Sequence, residues 1–394
     1  MNNDNQKNHL KAYGIVYFAL QAELKAKWLL NYDGGAFLIE NNTLIENECK
    51  IRGVSYQVIS DTKAQLILQD ISSPSKNQEA VTLEKAPKIA VYSPKDKMPW
   101  DDAVTMVLSY AEIPFDVIYD QEVLNDQLLL YEWVHLHHED FTGQYGRFYG
   151  AFRTAAWYVE GKIRAEKSAK SLGFNKVSQL KLAVSKKLRD FVIGGGFMFA
   201  MCSATDSFDI ALAAEGVDIA ESMFDGDPSE SNYQSKINFN RTFAYKDFNL
   251  IRNPTTYEFS SIDMTRKRSI PKTSDYFSLI EFSAKWDPVP TMLTQNHTQL
   301  VKGFMGQTTS YDRATIKSNV LVMGENRTNR EARYIHGTKG KGMFTFYGGH
   351  DPEDYTHRVG DPKTELDLHP TSPGYRLILN NVLFPAAKKK KQKT

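Results

Sequence analysis

Three short stretches hold the residues best suited to chemistry. The first is Phe197-Met-Phe-Ala-Met-Cys202-Ser203-Ala204, followed by a helix-period segment that closes at Gly216. A cysteine between an apolar strand and a helix projects into the crevice at the strand's carboxyl end. The helix N-terminus there favours a thiolate and offers amide donors to an oxyanion. The plain structural alternative is a small buried hydrophobe. The second stretch, Gly348-Gly349-His350-Asp351-Pro352-Glu353-Asp354, follows directly on the apolar run 343–347. A cysteine nucleophile needs a base, and the base needs an acid to fix its tautomer, so this cluster could complete what Cys202 begins. A surface turn rich in Asp and Pro is the alternative. The third is Val134-His135-Leu136-His137-His138-Glu139-Asp140. On a strand His135 and His137 share one face and His138 takes the other. The pair could share a divalent metal with a distant carboxylate, contact substrate beside Cys202, or be ordinary hydrogen-bonded histidines. Gly337-Thr-Lys-Gly-Lys-Gly342 alternates glycine with lysine without the spacing of a phosphate loop, and reads most simply as a hairpin turn.

The elements that must position these groups alternate β-type apolar runs with helix-period segments, the pattern of a parallel sheet covered on both faces. Residues 88–92, 115–119, 128–138, 197–201, 320–323 and 343–347 read as strands. Asp101 is placed to cap a helix with apolar residues at Val104, Val107, Leu108 and Ala111, and a last helix is expected from about Pro373 to Leu383. Before residue 86, Trp28-Leu-Leu30, a helix to Arg52 and a strand over 53–59 suggest a smaller α/β unit, with 72–84 as linker. Residues from about 224 to 320 break the rhythm with aromatic runs, prolines and turns, which suggests a β-rich insertion. The predicted organisation is a unit over 1–85, a main domain over 86–387 carrying the insertion, and a basic tail over 388–394 whose simplest state is solvated.

Composition limits the partners. The 394 residues carry 48 Lys plus Arg against 47 Asp plus Glu, a formal charge of +1, which offers nothing general to nucleic acid or an anionic membrane. No apolar run reaches the ~20 residues that span a bilayer. Cys49 and Cys202 are the only cysteines, too few for a disulfide framework, so any important thiol acts singly. The polar start, Met1 to Leu10, lacks the order of a signal peptide, so a cytoplasmic location is expected for the chain as given. It opens on a helix where an α/β fold usually opens on a strand, so an exported protein whose leader is missing is the alternative.

The order of these motifs resembles the class I glutamine amidotransferase-like fold, in which a Gly-x-Cys-x-Gly elbow precedes a distant His-Pro-Glu and a final helix. The resemblance covers about residues 86–387. The elbow stands here as Ala200-Met-Cys202-Ser-Ala204, and the second motif as His350-Asp-Pro-Glu353 with one residue inserted. By this resemblance the fold is a flavodoxin-like parallel sheet, Cys202 the nucleophile, His350 the base and Glu353 the orienting acid, with Asp351 a competitor for the last role. Thr142-Gly143-Gln-Tyr-Gly146 is a loose counterpart of the family's oxyanion loop. His135, His137, Gly143, Ser203 and Asp351 are then expected around the substrate. Stretches such as Asn8 to Gly14, Phe141 to Gly146 and Phe346 to Asp354 are also similar to a bacterial family labelled asparagine synthetase B. No Ser-Gly-Gly-x-Asp-Ser loop for ATP occurs, and Asn2 rather than cysteine follows Met1, so hydrolysis is expected and ATP-driven ligation is not. The resemblance implies a cysteine-dependent hydrolase or amidotransferase acting on a small-molecule amide such as glutamine. No cofactor is expected, and the partner would be a synthetase or a second copy of the chain. The alternatives are a binding protein that has lost catalysis and a metal-dependent hydrolase built on His135 and His137.

Overall fold

The computed structural model describes residue 1, residues 5–94 and residues 101–387, so the basic tail lies outside the described residues. Thirteen strands occur among them. Strands β1 (Ala26–Leu30), β2 (Ala36–Ile39) and β3 (Glu79–Leu83) form a small antiparallel sheet in the order β2-β1-β3. The larger sheet holds β4 (Ile89–Tyr92), β5 (Asp116–Ile118), β6 (Trp133–Leu136), β7 (Phe197–Met201), β8 (Tyr276–Leu279), β9 (Leu300–Lys302), β10 (Tyr311–Asp312), β11 (Leu321–Asn326), β12 (Glu331–Lys339) and β13 (Gly342–Tyr347). Its order is β5-β4-β6-β7-β13-β12-β11-β8-β9, with β10 on β12. The chain is therefore α/β with a mixed sheet. Strands β5, β4, β6, β7 and β13 run parallel, and antiparallel pairing takes over from β12 outward.

Every residue of β4, β6 and β7 is buried, as expected of strands covered by helices on both faces. One face packs on the helices His9–Gln21, Ala103–Tyr110 and Pro373–Leu383, in a core that also contains Trp28 and Val81 of the small sheet. The other packs on the helices Val177–Gly194 and Ala204–Ala213. The small N-terminal sheet thus shares a core with the main one.

Four elements differ from the sequence expectation. Residues 54–60 pair with no strand, and Ala36–Ile39 is the partner of β1 instead; Tyr56 and Val58 are exposed, so their alternation has no core to serve. The expected linker over 72–84 contributes β3, because Val81 and Leu83 alternate inward. The expected strand over 128–138 divides into a 3-10 turn, Gln127–Leu130, and β6. The segment 224–320 supplies only the short strands β8, β9 and β10. Its aromatic residues Phe243, Tyr245, Phe248 and Phe259 bury themselves from turns rather than from pleats. The stretch 337–342 is the β12–β13 hairpin, with Lys339 paired to Gly342 and Gly340 at φ +63°.

Candidate functional site

Strand order reverses at β4, whose neighbours β5 and β6 lie on opposite sides of it. In an open α/β sheet the crevice beyond the strands' carboxyl ends at such a reversal is where ligands bind. The histidine stretch leaves β6 there. Beside it, β7 ends at Cys202, which adopts φ +54° and hands the chain to the helix Ala204–Ala213. Left-handed backbone at a non-glycine residue is costly and must be held by its surroundings. Here the Cys202 amide donates to the Gly349 carbonyl at 3.2 Å, and the Ala204 amide to the His137 carbonyl at 3.1 Å. These bonds tie the elbow to both neighbouring loops. After β13, Gly349 takes φ +97°, and a Cβ there would lie 2.5 Å from the Phe304 ring. Glycine is what lets the chain turn tightly enough to present His350.

Five of the nine histidines, His135, His137, His138, His350 and His357, gather at this crevice with Cys202 and Asp102. One ring nitrogen each from His137, His138 and His350 lie within 4.8 Å of one another. The same holds for donor atoms of Cys202, His350 and His357, and of Asp102, His135 and His137. The tightest approach is His137 Nε2 to His350 Nδ1, 2.9 Å. The opposite nitrogen of each ring is engaged as well. His350 Nε2 is 2.6 Å from the Asp101 carbonyl, and His137 Nδ1 is 3.3 Å from His135 Nε2 and 3.4 Å from Asp102 Oδ2. With His350 Nε2 donating to that carbonyl, His350 Nδ1 is a bare lone pair, which accepts a hydrogen bond in the tautomer that protonates His137 Nε2 and faces a second lone pair in the other.

Electrostatics agree with neutral donors. Burial pushes His350 and His138 well below the ordinary imidazole range, with neighbouring imidazoles adding to the effect, and burial takes His357 down to about 4. Burial also lowers His135, against the pull of Asp102. For Asp102, burial acts to raise the carboxyl, but attraction and hydrogen bonding from His137 and His135 outweigh it and hold the group well below the usual carboxylate range. Cys202 is 1% exposed. Burial pushes its thiol up to about 12, opposed by the amides of Ser203 and Gln307 and reinforced by Asp206 and Asp263, so the thiol is protonated as it stands.

The sequence-predicted residues divide cleanly. Cys202, His350, His135 and His137 meet. Glu353 does not stand behind His350: it accepts from Ser372 Oγ at 2.5 Å and lies 3.3 Å from His369 Nδ1. Asp351 accepts from the Tyr375 and Thr364 hydroxyls, each at 2.7 Å. The residue inserted between His350 and Pro352 starts a turn, bridged Asp351 to Asp354, that swings both carboxylates toward the last helix. Ser203 is buried beside the elbow. Gly143, at φ +78°, serves close packing, since a Cβ there would sit 2.6 Å from the Ser178 amide nitrogen. Asp102, rather than Asp101, caps the helix Ala103–Tyr110 and provides the carboxylate at the imidazoles. Sequence reasoning missed Asp102 and His357; the one available signal was that so many of the few histidines fall in two short stretches.

A cavity of about 390 Å³ opens on the other side of His138, lined also by Glu139, Gly143, Trp157, Tyr158 and Lys181. A notch of about 20 Å³, with room for roughly one water, reaches His350 and His357 from the opposite side.

No family model matches the chain, and no curated protein does. Among solved structures, the chain is similar to the cytoplasmic protein STM3548 from Salmonella typhimurium at 10% identity and a TM-score of 0.36, over 77% of this chain and 100% of that one. It is similar to the cytoplasmic protein STM1381 from Salmonella typhimurium LT2 at 12% identity and a TM-score of 0.39, over 76% and 100%. A third likeness is to Gan42B, a GH42 beta-galactosidase, at 10% identity and a TM-score of 0.28, over 68% of this chain and 28% of that one. Likenesses this slight carry no argument about function.

Proposed function

We propose that the chain is a metal-dependent hydrolase whose ion is held by His137, His138 and His350, with Cys202 and His357 as neighbouring donors. The observation that carries this reading is the convergence of one ring nitrogen each from His137, His138 and His350 within 4.8 Å of one another, in a group that Cys202 and His357 join through His350. The Asp101 carbonyl behind His350 fixes that ring's tautomer and makes its facing nitrogen a better ligand, the usual arrangement around a protein-bound metal. Imidazole donors near a thiol suit a zinc-class ion, and three protein ligands leave a position for water. Such an ion supplies a hydroxide nucleophile near neutral pH and polarises a carbonyl. His138 joins the donor group to the 390 Å³ cavity, which is the natural entry for a small amide or ester. The parallel strands, numbered along the chain from β4, take the order 2-1-3-4-5. That is the doubly wound order of flavodoxin-like folds and supports the fold expected from the resemblance.

The test is metal content. Untagged protein purified without chelator should hold about one zinc-class ion per chain, lost in both His137→Ala and His350→Ala, and its removal should abolish cleavage of chromogenic amides and esters. Protein that binds no such ion when titrated with zinc sinks the reading.

A second reading is favoured by the φ of +54° at Cys202, the strained strand-to-helix turn of a nucleophile elbow. In it Cys202 attacks an amide such as glutamine, and His350 is the base with His137 and Asp102, rather than Glu353, behind it. Stoichiometric labelling of Cys202, but not Cys49, by an electrophilic glutamine analogue in metal-free protein would favour this reading. Absence of both metal and labelling would leave a binding protein on the same fold.

A further inference from the structure

His137 presents its other ring nitrogen, Nδ1, to His135 and Asp102, and we infer that these three residues form a second site, for a zinc-class divalent cation. The site needs neither His138 nor His350 as a ligand, so it goes beyond the hydrolytic ion proposed above and does not depend on it. Its geometry is close to what such an ion requires. His135 Nε2 and His137 Nδ1 are 3.3 Å apart, and Asp102 Oδ2 is 3.5 Å from the first and 3.4 Å from the second. The three atoms form a nearly equilateral triangle. Ligand atoms on a tetrahedral ion are separated by about 1.6 bond lengths, so zinc bonds of about 2.0–2.1 Å set them about 3.3–3.4 Å apart. Six-coordinate geometry at the same bond length would bring adjacent ligands to about 2.8–3.0 Å. Calcium has longer bonds but takes oxygen ligands, and two of these donors are imidazoles.

The ring protons are committed elsewhere. The Phe199 carbonyl can only accept, so His135 Nδ1, 3.2 Å away, carries the proton and Nε2 is a bare lone pair. His350 gives its proton to the Asp101 carbonyl in the same way, which leaves its Nδ1 to accept. Three neutral imidazoles therefore supply three protons to a chain of four contacts. Of the two contacts between rings, His137–His350 at 2.9 Å has the length of a hydrogen bond, and it takes the proton of His137 on Nε2. His137 Nδ1 is then bare as well. The carboxylate is anchored by Oδ1, which accepts the Thr105 amide at 2.8 Å, while Oδ2 has these two rings as its neighbours. Three acceptors thus face one another without a proton to share, and a cation between them relieves that arrangement.

The donors are also held in place by the fold. The His135 ring stacks on Trp133 at 5.9 Å and on Phe199 at 5.6 Å, and Asp102 is the N-cap of the helix Ala103–Tyr110. The Phe199 carbonyl behind His135 and the His350 ring behind His137 are the outer partners that orient metal-bound imidazoles. Side chains of His135, His137 and Asp102 are 0%, 2% and 11% exposed, so the ion would tie the end of β6 to the helix cap inside the molecule. When both groups are filled, His137 gives up its remaining ring proton and bridges the two ions.

Zinc titration against a chromophoric chelator, counted per folded chain, tests the site in the parent, His135→Ala, Asp102→Asn and His138→Ala. The parent should take up a second equivalent beyond the first. His135→Ala should weaken one of the two ions by more than about a hundredfold, and Asp102→Asn should weaken that same ion about 10- to 100-fold. His138→Ala should spare it, and zinc should still raise the unfolding midpoint of that variant. Where His135→Ala does not fold, Asp102→Asn decides alone, since the amide can keep the helix cap. Uptake indifferent to either substitution overturns the proposal, as does a single ion that needs His135 and His138 alike. No uptake at all overturns it too, because a proton would then occupy the corner. A single ion lost in His135→Ala but kept in His138→Ala upholds this site and removes the hydrolytic one.

Discussion

His137 and His138 are adjacent in the chain but serve two differently built regions. His137 enters a buried cluster in which imidazoles, a thiol and one carboxylate lie within a few ångströms of one another, held by backbone bonds between three strand ends. His138 also borders an open cavity with aromatic walls, where Lys181 is paired with Asp120 and Glu139. The cluster chains its imidazoles together, His135 to His137 to His350, between two backbone carbonyls; the cavity pairs Lys181 with Asp120 and Glu139 and presents aromatic walls. At a strand end a single residue step is enough to pass from one to the other, because successive side chains point to opposite faces. The two regions should therefore respond to different substitutions.

The sharpest break is His350→Ala. Outer-shell partners of a metal are worth about 10- to 100-fold in affinity, so losing a ligand should cost more than about a hundredfold in zinc affinity and in hydrolytic kcat/KM. Tyr158→Phe should leave metal content unchanged, and loss of metal in both variants would erase the distinction between the regions.

Lys181→Met attacks the cavity instead. Lys181, Asp120 and Glu139 have side chains only 5%, 3% and 10% exposed, and removing the cation leaves two buried acids without their charge partner. Breaking a buried pair in this way costs about 3–5 kcal/mol. Urea unfolding should show that loss while metal binding per folded chain survives.

A buried histidine outside both regions gives a reference. His336 on β12 pairs its Nδ1 with the Thr345 hydroxyl at 3.0 Å, and burial takes it from 6.5 down to about 4. The folded state then refuses a proton that the unfolded chain accepts. Its contribution to stability is complete above pH ~6.5, is lost as pH falls toward ~4, and is constant below, on the order of 3 kcal/mol in all. Comparing urea midpoints at pH 7 and pH 4 for His336→Gln and the parent should show a smaller loss in the variant.

Asp102→Asn probes the link between histidine cluster and helix cap. The amide can still accept from Thr105, so the cap, 2.8 Å in the parent, should persist, while the charge behind His137 disappears. Zinc affinity should fall about 10- to 100-fold with little change in unfolding midpoint. An unchanged affinity would mean that the carboxylate does not orient His137.

Much of this site was legible before any coordinates. The β7–Cys202–helix unit and the strand that delivers His350 follow from apolar runs that end abruptly at small or glycine residues, and period-2 alternation places His135 and His137 together. What sequence could not supply was orientation across a tight turn. The insertion of Asp351 preserves the order His, Pro, Glu yet redirects Glu353, because side-chain direction within a turn depends on backbone angles that residue order leaves open. Asp102 was invisible for a related reason: of two adjacent aspartates, the one that caps the helix also meets the imidazoles, and a one-residue choice of cap has no composition signal. The segment 224–320 misled through its aromatics, which pack as readily from irregular turns as from strands once they have a helix face to cover.

The smallest expected effect falls on the residue that motif order alone singles out. Glu353→Gln keeps the shape of the side chain and an acceptor for the Ser372 hydroxyl, and gives up only the charge facing His369, which is 37% exposed at its side chain. An exposed pair of this kind is worth about 0–1 kcal/mol. The unfolding midpoint should barely move, and both metal content and kcat/KM should stay within about threefold of the parent. If Glu353 instead oriented His350 by a route through solvent, the variant would lose activity with its fold intact, as Asp102→Asn is expected to do. Measured side by side, the two substitutions decide which carboxylate serves the imidazoles, because each removes one negative charge and differs only in where that charge stands.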